Sequence, residues 1–321
     1  MAVTIRENIK NLVFIFIVLT HKFSDFFYFC ITKEMCMKLQ TTVECNRCGS
    51  GISYKDKIMV LGSCFADNIG DRLLKAGFDV CVNPFGTLYN PVSVCNSVTR
   101  LASGIPFSEN ECVEMGAKAG LICSFSHHTL MARPTAEEFL EVANSSFEKA
   151  SAFFGACNKV IVTLGTAWIF RHNGTGETVS NCLKRDASEF TRERLSIGSV
   201  VMMLERMVSR FPEKEFIFTV SPIRHLKDGA HGNQISKSTL LLALEDVCGR
   251  FSNAGYFPSY EIMMDELRDY RFYAADMVHP SDQAVEYIWE RFTDVMLPEG
   301  EKEKLLENEK LERQSRHRPL H

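Results

Sequence analysis

A serine, an Asp-x-x-His pair and a basic dipeptide carry the chemistry that this sequence offers. Ser63 stands in the run Leu61-Gly62-Ser63-Cys64-Phe65-Ala66. Between a strand-like and a helix-like segment, a serine hydroxyl sits at a sheet edge. Its own N–H and the helix N-terminus can then face a developing oxyanion. The same position also suits a helix N-cap serine. Asp276-Met277-Val278-His279-Pro280 lies near the other end. Asp and His three apart, ahead of a proline-started helix, place an imidazole above a sheet while the carboxylate holds its tautomer. Capping by Asp276 or Ser281, with His279 on the surface, is the plainer alternative. Arg224 and His225 follow an apolar run and point to the same edge. Such an arginine holds a carboxylate or phosphate bidentately, or forms a structural salt bridge. His127-His128 is a poor ligand spacing without a third partner. Cys45-Asn46-Arg47-Cys48 has redox or half-zinc spacing but no second pair of similar spacing. Cys64 begins a helix, where a thiol pKa can fall, or it simply packs.

The elements that must position these residues read as alternating strands and helices. Apolar runs at 57–61, 78–82, 159–164 and 215–220 suit buried strands, and 256–262 is a fifth candidate. Helical spacing covers 66–76, 92–101, 135–154, 196–211, 233–251 and 280–292, with Thr135 as a cap. Residues 121–125 form a further strand candidate, and Asn173-Gly174-Thr175-Gly176 a hairpin-like turn. Nearly continuous apolar strands between helices predict a parallel sheet covered on both faces. Ligands of such sheets sit at the carboxyl ends of the strands. Those ends are Gly62-Ser63, Gly165-Thr166 and Ser221-Pro222-Ile223-Arg224-His225. The charged segment 300–313 reads as a surface helix.

Composition narrows the class. The 321 residues are 45% hydrophobic and 24% charged, an ordinary globular balance. With 40 acidic and 36 basic residues the net charge is −4, which offers no basic field for nucleic acid. The 12 cysteines are scattered and several sit in largely apolar runs, which points to reduced thiols in a reducing, cytoplasmic compartment. Residues 1–36 stand apart. Leu12 to Leu19 is apolar after Arg6 and Lys10, like a secretory leader or short anchor, while His21, Lys22 and Asp25 interrupt it. Met37 offers an alternative beginning, so contact with a membrane or export depends on whether residues 1–36 are expressed.

Several stretches together resemble the GSCFA family, named for the run at 62–66. They are NPFGTLYNP at 83–91, TLGTAW at 163–168, SNC at 180–182, SPIRHLKDG at 221–229, YFPSYEI at 256–262 and DYRFYAADMVHPS at 269–281. The resemblance runs from about Met37 to the His-Arg-Pro near residue 317 and leaves 1–36 outside. That family belongs to the SGNH, or GDSL-like, hydrolase superfamily. The resemblance implies a three-layer α/β/α sandwich with a mostly parallel sheet over 37–297, followed by a charged tail at 298–321. It implies Ser63 as nucleophile, with Asp276 orienting His279 as general base. Gly86 matches a glycine that offers an oxyanion N–H. Gly165-Thr166-Ala167-Trp168 stands where a Gly-x-Asn motif is expected, with Asn181 as a substitute amide. Gly62 also replaces the aspartate that ordinarily precedes the serine. The implied activity is hydrolysis of a small-molecule or carbohydrate ester through an acyl-enzyme, with no metal or organic cofactor. Two alternatives are O-acyl transfer to a carbohydrate-like acceptor and a non-catalytic binding module that keeps the fold.

Overall fold

Uninterrupted apolar runs build the central sheet, and the chain returns through helices between them. The computed structural model describes residues 40–116 and 120–316. The expectations for residues 1–36 lie outside the described residues. The fold is that of the unit Thr42–His321. In chain order the elements begin with β1 (Lys57–Gly62), α1 (Cys64–Lys75), β2 (Asp79–Val82) and α2 (Pro91–Ser103). Short strands β3 (Val113–Glu114) and β4 (Ile122–Cys123) follow, then α3 (Ala136–Ala156) and β5 (Lys159–Leu164). Next come β6 (Trp168–His172), β7 (Thr178–Val179), β8 (Phe190–Arg194) and α4 (Ile197–Arg210). The chain continues through β9 (Glu215–Val220), α5 (Gly229–Arg250), β10 (Ala254–Tyr256), α6 (Asp282–Met296) and α7 (Glu299–Arg316).

The main sheet has five strands, all parallel, in the order β10-β9-β5-β1-β2. Alternation along each strand divides its side chains between two cores. Met59, Leu61, Val160, Val162, Phe216 and Phe218 face one layer, built from α2, α3, α4 and α5. Ile58, Val60, Ile161 and Ile217 face the other, where α1 and α6 contribute Phe65, Ile69, Ile288, Trp289 and Phe292. Both faces are buried, as period-two alternation within apolar runs requires. Hydroxyl and amide caps set the helix starts: Ser63, Asn90, Thr135, Ser196 and Ser281 each accept a backbone N–H from the first turn.

Two elements differ from the sequence expectations. Segment 256–262 does not continue as a strand. Pairing ends at Tyr256, and the chain turns helical from Ser259 after Pro258, which has no N–H for a ladder. Second, β6 pairs antiparallel with both β7 and β8 to form a small sheet beyond the end of β5. The turn 173–176 joins β6 to β7. Among the described residues, no helix is long and apolar enough to cross a membrane. The described cysteines are all free thiols.

Candidate active site

Ser63 follows β1 and caps α1, its Oγ accepting the Phe65 N–H at 3.4 Å. Its approach is set by Gly62, whose φ of +140° is open only to glycine. A β-carbon there would come within 2.2 Å of the Thr163 carbonyl oxygen, so β1 and β5 close tightly behind the serine. Gly62 N–H donates to Asn83 Oδ1 at 2.8 Å, and Asn83 in turn donates to Asp67 at 2.6 Å. The serine is buried, 1% exposed. Its own N–H, expected as an oxyanion donor, instead donates to the Thr163 carbonyl at 3.2 Å.

The Asp276–His279 loop forms the opposite side. Asp276 Oδ1 accepts the Val278 and His279 N–H groups at 2.9 and 3.0 Å, and Oδ2 lies 2.6 Å from His279 Nδ1. With Nδ1–H donating to the carboxylate, Nε2 is the free acceptor. These bonds, the His279 N–H first, hold the exposed Asp276 carboxyl down to about 2. Met277 takes a left-handed φ of 57° to close the loop. Arg224 N–H donates to the Val278 carbonyl at 3.1 Å, tying the loop to the segment after β9.

A cavity of about 380 Å³ lies at this carboxyl edge, lined among others by Cys64, Tyr89, Asn90, Trp168, His225 and His279. The structure therefore brings His225 and His279 to one cavity. Ser63 precedes Cys64 in the chain, is buried and is not itself in the lining. No hydrogen bond joins Ser63 to His279 among the described residues; such bonds are often long in a free enzyme and tighten around substrate. Gly86 is not in the lining either. Its N–H donates to the Asn83 carbonyl at 2.7 Å, and a β-carbon would meet His128 at 2.3 Å. Asn181 uses its Oδ1 to accept the Leu183 N–H at 2.8 Å and also lies outside the lining. Arg224 turns its guanidinium away, toward Met264 Sδ at 3.4 Å, and lines a separate groove with Tyr270 and Tyr273.

His225 is held by the bond from its N–H to Asn233 Oδ1 at 2.8 Å. Burial, followed by the Lys237 cation, lowers its imidazole to about 4; Asp228 opposes this, while His279 and Arg192 add to it. Its Nε2 is buried and has no hydrogen-bond partner. A β-carbon on Gly165 would lie 3.4 Å from that Nε2 and 3.5 Å from Ser63 Cβ. The missing methyl thus leaves a small gap between the two side chains.

Two residues of this edge were not singled out from the sequence. Lys237, in mid-helix α5 and 1% exposed, donates to the carbonyls of Gly165 and Ser221, both at 2.7 Å. It clamps the ends of β5 and β9, and burial, then Arg224, lowers its ammonium to about 7. Asn90 caps α2 and lines the cavity; its place before Pro91 was the available signal. The sequence also left the cavity walls unread: the Arg192 guanidinium stacks 4.2 Å above the Trp168 ring and pairs with Asp228. Among the described residues, no group of three His, Cys, Asp or Glu side chains is arranged to hold a metal ion.

The model of the GSCFA family matches residues 57–292. The match opens at the first residue of β1 and closes within α6, inside the wider span of resemblance read from the sequence. No curated protein and no solved structure matches the chain.

Proposed function

This chain belongs to the GSCFA family, and from that premise we propose that it is a serine-dependent ester hydrolase. The observation that carries the reading is the Asp276–His279 pair, 2.6 Å apart, whose His279 lines the same cavity as Cys64, the residue after Ser63. In the proposed reaction His279 Nε2 removes the Ser63 hydroxyl proton while Oγ attacks the ester carbonyl. The tetrahedral adduct expels the alcohol, which takes the proton from His279. A water molecule then attacks the acyl-Ser63 ester, again through His279, and releases the acid. Asp276 keeps Nδ1 protonated and the ring oriented. The substrate is a small-molecule ester, and an O-acylated carbohydrate is the superfamily analogy. Hydrolysis can give way to transfer of the acyl group to a sugar hydroxyl, because Trp168, Phe170, Val179 and Ile223 make much of the cavity wall apolar.

A second reading, a ligand-binding module without catalysis, is favoured by the burial of Ser63, which is not among the residues that line the cavity. Labelling of the full-length chain with a fluorophosphonate separates the two. The hydrolase reading expects covalent labelling of wild type at Ser63, lost in Ser63→Ala and in His279→Ala. A folded wild type that stays unlabelled sinks it and leaves the binding module.

A further inference from the structure

Two of the backbone donors suggested by sequence for the oxyanion are already engaged. Ser63 N–H serves the Thr163 carbonyl and Gly86 N–H the Asn83 carbonyl. Yet a hydrolase needs a donor aimed at the carbonyl oxygen as it gains charge. The described residues hold one buried side-chain nitrogen beside Ser63 that lacks any hydrogen-bond partner, His225 Nε2. We propose that neutral His225 donates its Nε2–H to the oxyanion formed at Ser63, replacing the side-chain amide that the Gly165–Trp168 run lacks. This rests on the ester-hydrolase reading.

Two observations converge on it. The first is position. The point that a Gly165 β-carbon would occupy lies 3.4 Å from Nε2 and 3.5 Å from Ser63 Cβ. A substrate carbonyl oxygen entering that gap meets both the nucleophile's side and the imidazole. The Tyr89 carbonyl, 3.2 Å from the same point, already accepts the Gly165 and Thr166 N–H groups at 2.8 and 2.9 Å and does not engage Nε2. The second is charge. Lys237, His279 and Arg192 act against a proton on His225 and Asp228 opposes them, with burial the largest effect. An imidazole kept neutral in this way is a poor proton acceptor at neutral pH but a competent hydrogen-bond donor. No proton leaves His225 in the step. The carbonyl π-pair moves onto oxygen, Nε2–H holds it, and the pair returns when the alcohol leaves.

The test is the second-order rate of fluorophosphonate labelling at Ser63 in the full-length chain, with folding checked by near-UV circular dichroism. His225→Ala should slow labelling by about 100-fold, the typical loss of one oxyanion donor. His225→Gln, which restores an N–H near the same place but cannot act as a base, should recover at least about tenfold over His225→Ala. Gly165→Ala should fill the gap and slow labelling similarly with His225 intact. Equal labelling of wild type and His225→Ala overturns this proposal and leaves the hydrolase reading standing. His225→Gln as slow as His225→Ala also overturns it, assigning His225 to proton transfer or packing. An unlabelled wild type overturns both readings.

Discussion

Both oxygens of Asp276 serve the loop that carries His279, which makes this carboxylate the most consequential exposed acid in the site. Asp276→Asn keeps an acceptor for the two backbone N–H groups but can present NH2 to Nδ1 and reverse the tautomer. Fluorophosphonate labelling should then fall by about 100-fold or more with little change in melting temperature. Two other imidazoles tell the opposite story. His127 is buried among Phe85, Phe107 and Phe139, with Nδ1 2.7 Å from Ser124 Oγ, and burial lowers it to about 4. His225 is lowered to about 4 as well. The unfolded chain, with ordinary histidines, binds more protons than the folded one between about pH 6.5 and 4. Stability should therefore be intact above about pH 6.5 and decline as pH falls toward 4, by on the order of 3 kcal/mol per histidine. Urea melts at pH 7 and pH 5 measure the decline. NMR titration should show both rings still neutral at pH 5.

At the scale of elements, the site depends on how strand ends are fixed. Lys237 satisfies one carbonyl beyond β5 and one beyond β9. Lys237→Met would leave both acceptors buried and unpaired, at about 1–3 kcal/mol each. A denaturant midpoint shift equivalent to about 3 kcal/mol is expected, and an unchanged midpoint would show the clamp to be idle. The sequence could not announce this role, because a lysine in a helical pattern reads as a solvated residue, and only packing of α5 across the sheet buries it. Strands 159–164 and 215–220 were legible to the residue because no charge interrupts them after the first residue, and their single threonines, Thr163 and Thr219, are β-branched. By contrast β8 (FTRER) is mostly charged, and the apolar start of β6 (WIFRH) stops after three residues, so the small sheet on which Arg192 and Trp168 meet left no run long enough to read as a strand. The places of Ser63 after β1 and of His279 ahead of α6 were legible from residue type and spacing, while their roles come only from the family resemblance. Where the Ser63 and Gly86 N–H groups go was not, since that depends on how closely β1 approaches β5 and how the 83–86 turn closes.

Across the whole molecule, the helix read from sequence as a charged surface tail is also part of the fold. In α7, Asn308 donates to the Ala76 carbonyl at 2.7 Å, and Glu309 accepts the Trp289 indole N–H at 3.0 Å. Leu305 is buried against the α1–α6 layer, whereas Leu306 is 62% exposed. Leu305→Ala should destabilise the protein by about 2 kcal/mol, and Leu306→Ala by less than about 0.5 kcal/mol. Equal melting temperatures for the two variants would show that α7 contributes nothing to the core. The family match ends in α6, so this helix is an addition to the matched region that nonetheless packs on it.

Cys64 gives the molecule a built-in reporter. Its thiol belongs to the cavity wall, 3.4 Å from the Tyr89 hydroxyl and one residue from Ser63. Any compound that fills the cavity shields that sulfur from iodoacetamide, whether or not it is turned over. Peptide-resolved alkylation rates can therefore survey ester libraries for occupancy before any product assay exists, with the other free thiols of the same chain as internal standards.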